Sequence, residues 1–280
     1  GARIGGGGAY DPNDLALVLV TTLPIAIMLG LSSPTLRWKI IFLVGAAFNL
    51  IGIIATQSRG GFLGLIALGA FMLFAKLPGI SKKKFTLILV ILALIFGAYI
   101  GAEYKERIRT ILEESTSDVR AGSGRIAVWK QCLEIARDNL ILGVGPNAFT
   151  TAHGHYLKTD KFSDELSREA VGSAWRTAHN SLLLVLVEMG VPGLLIFLAI
   201  NIRSFRNSQR VKVLSNNQNT ADNLSIQATT LQMALVGFSA CAFFLSQSYN
   251  VLIYLFCFLS GAMVRRSGVN GNSHPEKIQK

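Results

Sequence analysis

Seven apolar runs fix the class of this chain before any single residue is weighed. They cover about 14–31, 39–56, 60–75, 85–102, 180–202, 229–246 and 249–264. A helix needs about 20 such residues to cross about 30 Å of hydrocarbon, so the run at 60–75 is short and the last one marginal. A buried core helix explains any one run taken alone. Seven of them in 280 residues, 51% hydrophobic, predict an all-α, polytopic transmembrane helix bundle of about seven spans.

Charge then orients the bundle. Numbered alternately, the loops sort into two sets. One holds Arg37, Lys39, Lys76, Lys82–Lys84, Arg203, Arg206, Arg210, Lys212, Arg265, Arg266, Lys277 and Lys280 against only Asp222 and Glu276. The other holds equal numbers of cations and acids, and it includes the long loop at 103–178. Cytoplasmic loops carry the excess of Lys and Arg, so the balanced set is expected outside and 103–178 is expected to form an external, partly helical domain. The net charge of +11 is thereby assigned to inner-face contact with anionic membrane lipids, and nucleic acid is excluded as a partner. The expected division is four spans over 1–102, the external loop over 103–178, three spans over 179–264 and a disordered cytoplasmic tail over 265–280.

The chain opens at Gly1 on the outer side, and no signal-peptide pattern precedes the first run. A parent that starts in the cytoplasm is expected to supply an odd number of upstream spans. Asn13 or Asp14 is expected to cap the first helix. Pro24 lies inside it and is expected to kink it. Thr56-Gln57-Ser58-Arg59-Gly60-Gly61 reads as a tight hairpin between spans two and three, with Gly60, Gly64 and Ala67 allowing a neighbouring helix close.

In the external loop, Ile126, Trp129, Leu133, Ala136 and Leu140 recur at helical spacing and predict an amphipathic helix over 125–141. It is expected to lie along the membrane surface and end at the Gly143-Val144-Gly145 turn. Residues 150–175 read as an irregular polar lid and 203–228 as a polar cytoplasmic loop. Cys132, Cys241 and Cys257 suggest neither a disulfide framework nor a metal site. His153 and His155 lack a third ligand at suitable spacing, so no metal and no cofactor is expected.

Ionisable groups at the mouth of a bundle are the candidates for chemistry. Arg59 either snorkels and caps the preceding helix, or uses the close backbone of Ser58 and two glycines to bring its fork onto a phosphate. Arg125 follows Gly122-Ser123-Gly124 at a helix start, where it is either a solvated charge or part of an anion site. Arg176 is a third phosphate candidate. Trp129 either anchors its helix at the interface or meets substrate. His179, at the start of the fifth span, is either a capping residue or a general base near neutral pH. Glu188, inside that span, reads as a structural partner within the bundle rather than a catalyst.

Gln57-Ser58-Arg59-Gly60-Gly61, Ser123-Gly124-Arg125 with Trp129, Gly143-Val144-Gly145, and Ala178-His179-Asn180 with Glu188 and Gly190 follow in order. In this the chain resembles the O-antigen ligase and polymerase superfamily of bacterial envelope enzymes. The Tyr10-Asp11-Pro12-Asn13-Asp14 opening resembles its exosortase-associated O-glycosylation ligase branch. The resemblance implies a metal-independent, inverting glycosyltransferase of the inner membrane, acting on the periplasmic side. Its donor would be a glycan on a polyprenyl diphosphate. Its acceptor would be lipid A–core, a polysaccharide or a protein hydroxyl. His179 would be the catalytic group, Arg59, Arg125 and Arg176 would hold the diphosphate, and Asn180, Glu188 and Trp129 would support them. A polymerase differs only in acceptor. A lipid-linked glycan transporter or flippase is the alternative of a different class, and it would need charged or broken helices in paired repeats.

Overall fold

The computed structural model describes residues 11–75, 83, 125–159, 162, 177–217 and 222–268, and among them every regular element is a helix. In chain order these are α1 (Pro12–Ser32), α2 (Leu36–Thr56), α3 (Arg59–Phe74), α4 (Arg125–Asp138), α5 (Phe149–Lys158), α6 (Ser181–Asn217), α7 (Asp222–Ala242) and α8 (Val251–Arg266). Four are long and apolar enough to cross a membrane: α1, α2, α6 over Ser181–Ser215 and α7 over Leu224–Ala242. The runs at 60–75 and 249–264 form helices of 16 residues each. The expected span at 85–102, the segment 103–124, Arg176, most of the expected lid and the tail beyond Gly268 lie outside the described residues.

The chain divides into two compact units, one of 1–87, 199–239 and 250–280, the other of 88–198 and 240–249. In the first, α1 packs on α2 and α3. The cap of α1 is Asp11, not Asn13 or Asp14: its carboxylate accepts from Asn13 N at 2.6 Å and Asp14 N at 2.9 Å. Pro12 follows at the first helical position, where a missing N–H costs nothing, and that fixes the start two or three residues earlier than expected. Asn13 lies inside the helix and reaches across the unit, where its Oδ1 accepts from Ser58 Oγ at 2.8 Å. Gly61 faces α1 so closely that a Cβ there would stand 2.6 Å from Ala16 Cβ. Small residues let helix backbones approach where lipid leaves no hydrophobic drive between them.

The described residues of the polar stretch 203–228, which are 203–217 and 222–228, are helical and not a loop. α6 continues through Arg203 and Arg206 to Asn217, and α7 begins at Asp222. Serines favour turns in isolation, but Ser204 and Ser208 return their hydroxyls to carbonyls four residues back, at 2.7 and 2.9 Å. Their small side chains are buried with Val211 on the packed face. Thr229 and Gln232 do the same on α7, and Gln232 Nε2 donates to Gln209 Oε1 at 2.8 Å.

The second unit has a core of the soluble kind. Val128, Cys132, Ile135 and Ala136 of α4 pack with Phe149, Tyr156 and Leu157 of α5, Phe162, Ala178, Leu184 and Val187. The predicted amphipathic helix is present as α4, but its buried face is different. Of the expected face Ala136 is buried and Trp129 half-buried, but Ile126, Leu133 and Leu140 are 47%, 53% and 48% exposed, and Val128, Gln131, Cys132 and Ile135 are buried in their place. The helix carries two apolar stripes, and periodicity alone does not say which one meets a partner. α5 selects the second stripe by placing His153 Nε2 2.7 Å from Gln131 Oε1. α5 itself occupies the start of what reads as an irregular lid. His153 is buried on it and His155 is exposed, so the two rings do not share a face.

Candidate active site

His179 sits one residue before the cap of α6. Asn180 supplies that cap: its Oδ1 accepts from Leu182 N at 2.9 Å and Leu183 N at 3.1 Å, the usual work of an asparagine at a helix start. Asn180 thus ends the loop and starts α6. His179 itself has φ 46°, in the left-handed region that a non-glycine residue adopts only when its surroundings hold it there. The holders are visible. His179 N donates to Ser246 Oγ at 2.9 Å. Ser181 Oγ donates to Leu245 O at 2.6 Å and accepts from Gln247 N at 2.9 Å, while Ser248 Oγ donates to Ser181 O at 3.2 Å. The turn after α7 thus grips the start of α6 on three consecutive polar residues.

Trp129 of α4 completes the hold. Its Nε1 donates to Ala178 O at 3.0 Å, and its ring meets Phe243 edge-on at 5.8 Å. Ala178 is fully buried beneath it. Arg125 is exposed at the first position of α4, four residues before Trp129 and so one helical turn away on the same side. The imidazole of His179 stays half-buried, with Nε2 2.9 Å from Thr177 Oγ1.

Glu188 lies deeper and acts as a structural knot, as its sequence context suggests. It is 2% exposed; its carboxylate accepts from Phe149 N at 3.1 Å and from the hydroxyl of Tyr249. Directly below it α6 breaks at Gly190, at φ 66° and ψ −169°. In a regular helix Val191 N would serve Val187 O, and residue 192 would serve Glu188 O. Here Val191 N donates to Leu140 O at 2.7 Å, and Pro192 has no N–H to give. Val144 N and Gly145 N fill both vacancies, donating to Val187 O at 2.9 Å and Glu188 O at 3.0 Å. The Gly143-Val144-Gly145 turn is thus the plug of a broken helix. A Cβ on Gly143 would stand 2.4 Å from Glu188 C and O, and one on Gly190 would stand 2.5 Å from Ile141 O.

Arg59 belongs to the other unit. Gln57, at φ 49°, closes α2 by backbone, and Ser58 caps α3 by accepting from Gly61 N at 3.1 Å. With both helix ends already capped, Arg59 is not needed as a cap. It stands half-buried at the first position of α3, where the N–H groups of a helix start favour an anion.

Residues 44–198 match the O-Antigen ligase family. That is more than half of the chain. The chain belongs to this family. Its apolar helices and that membership make it a multi-pass membrane protein, an enzyme of the O-antigen ligase and polymerase type. No curated protein matches it. The matched segment includes Arg59, Arg125, Trp129, His179, Asn180 and Glu188. It stops short of Ser246 and Tyr249, two partners that reading the sequence did not single out. Their only signal was that Ser246-Gln247-Ser248-Tyr249-Asn250 is polar where the runs 229–246 and 249–264 meet.

Cys132 contributes no nucleophile. Burial pushes its thiol up to about 12, and it packs as a small apolar residue.

Proposed function

We propose that the protein transfers a glycan from a polyprenyl-diphosphate carrier to an acceptor hydroxyl, on the periplasmic side of the bacterial inner membrane. The observation that carries this reading is the hydroxyl already 2.9 Å from His179 Nε2 on an exposed residue, Thr177. An acceptor hydroxyl in that place meets a ring nitrogen at the distance proton transfer requires. As the acceptor oxygen bonds to the anomeric carbon, its proton passes to the imidazole. The bond from that carbon to the diphosphate breaks with inversion, and the diphosphate leaves with the electron pair. Arg59, Arg125 and Arg176 take up its charge through guanidinium forks, with no metal ion in the scheme. Trp129 and Asn180 position His179, and Glu188 holds the helix on which it stands. The acceptor class is lipid A–core, a polysaccharide or a protein hydroxyl, which is where ligase and polymerase part.

The test is transfer from a polyprenyl-linked glycan in reconstituted vesicles, with products read by mass. Arg59→Ala, Arg125→Ala and His179→Ala should each abolish product while membrane insertion is retained. Near-normal transfer by all three variants overturns the assignment. Accumulation of intact donor in the vesicle lumen, with no bond cleaved, would show a transporter instead.

A further inference from the structure

The first unit carries a groove that the transfer reaction does not use. Where α6 and α7 pack together, a cavity of about 350 Å³ is lined by Asn201, Ile202, Phe205 and Arg206 of α6 and by Leu235 and Val236 of α7. One side of Phe205 is covered edge-on by Phe71 at 5.9 Å. The lining is aliphatic and aromatic apart from Asn201, Arg206 and Ser239. From this groove a cationic face leads along α6. Arg203, Arg206 and Arg210 are exposed at three- and four-residue spacing, and no acid occurs over 199–217.

We propose that this groove seats one anionic phospholipid, its acyl chain over Ile202, Phe205, Leu235 and Val236 and its phosphate against Arg206 and Arg203. Charge complementarity chooses the occupant. A zwitterionic lipid brings its own cation to the arginines, whereas an anionic one neutralises a stripe that no neighbouring carboxylate on its own helix balances. An apolar groove on a membrane-spanning helix is filled by hydrocarbon, so head and tail find complementary walls in one place. The site stands independently of the glycan-transfer reading.

The experiment uses the full chain in nanodiscs of phosphatidylcholine with one quarter phosphatidylglycerol, followed by gentle extraction and native mass spectrometry. One phosphatidylglycerol should be retained per chain. Arg203→Gln with Arg206→Gln should lower that retention roughly thirtyfold, the effect of two surface cations on an anionic lipid. Ser239→Trp, which fills the groove and leaves every charge in place, should lower it too. Arg265→Gln with Arg266→Gln removes two exposed cations that do not line the groove and should change nothing. Equal retention of phosphatidylcholine overturns the proposal, as does equal loss in the Arg265 and Arg266 control. Displacement of the lipid by an equimolar polyprenyl phosphate would also overturn it, giving the groove to the glycan carrier.

Discussion

The two units solve the problem of holding a polar side chain in place by different means. Around Arg59, helices meet backbone to backbone at glycines, and Ser58 ties the contact by accepting from Gly61 N and donating to Asn13 Oδ1. α2 buries little beyond Ala46, Ile53 and Thr56, while Phe48 and Ile51 are 68% and 60% exposed, as suits a helix that lipid covers. Around His179 the molecule builds an apolar core of its own and fastens a strained loop and a broken helix with many directed hydrogen bonds. Where the solvent is hydrocarbon, small residues bring the helix backbones together. Where a loop must be held in an unfavourable backbone conformation, specific partners have to overdetermine it.

This contrast is broken or sharpened by substitution. The largest effect is expected at the plug of the broken helix. Gly190→Val adds a Cβ at positive φ against Leu140 O and Ile141 O and should cost about 3 kcal/mol or more, read as a fall in the thermal midpoint of the detergent-solubilised protein. Gly45→Ala on α2, with nothing within 4 Å of the new methyl, should leave the midpoint unchanged or raise it. Equal losses at both glycines would erase the distinction between the units.

Next comes Glu188→Ala, which strands the buried Phe149 N and removes the carboxylate that the Tyr249 hydroxyl donates to; it should cost about 1–3 kcal/mol by the same measurement. Tyr249→Phe removes one of those partners and should cost about half as much. In the first unit, Gly61→Ala presses a methyl to within 2.6 Å of Ala16 Cβ and should cost about 1–3 kcal/mol as α1 and α3 move apart. Ala16→Gly in the same chain should recover part of it, which a backbone effect at position 61 alone would not allow.

The smallest effect concerns Cys132. Its thiol, ordinarily near 9, is raised to about 12 by burial, so the folded state keeps a proton that the unfolded state gives up. The associated stability is complete below pH 9 and is lost as pH rises toward 12. At pH 8 the thiol should resist maleimide over the time in which an unfolded sample is fully labelled, as read by mass. Rapid labelling of the folded protein would show that the core around α4 opens.

Much of this was legible beforehand. Apolar length announced the membrane helices, because crossing hydrocarbon demands unbroken hydrophobic runs whatever the neighbours. The hairpin before Arg59 and the helix start after His179 were marked by residues whose local preferences are strong: Ser58, Gly60 and Gly61 in one, Asn180 in the other. The helical course of 203–217 and 222–228 was not legible, because serines and threonines that look loop-forming in isolation become good packing residues once a second helix lies against them. The buried face of α4 was likewise ambiguous between two stripes.

The sequence by itself determined that the chain is helical, membrane-spanning and a member of the O-antigen ligase family, since hydrophobic length and short motifs are local properties. Only the tertiary structure decided what Gly143-Val144-Gly145 is for, why Gly190 and Pro192 stand together, and that Trp129, Ser246 and Ser181 hold His179. Those answers depend on which donor meets which acceptor across 40 to 70 residues of chain, and a hydrogen bond between distant residues leaves no periodicity to read.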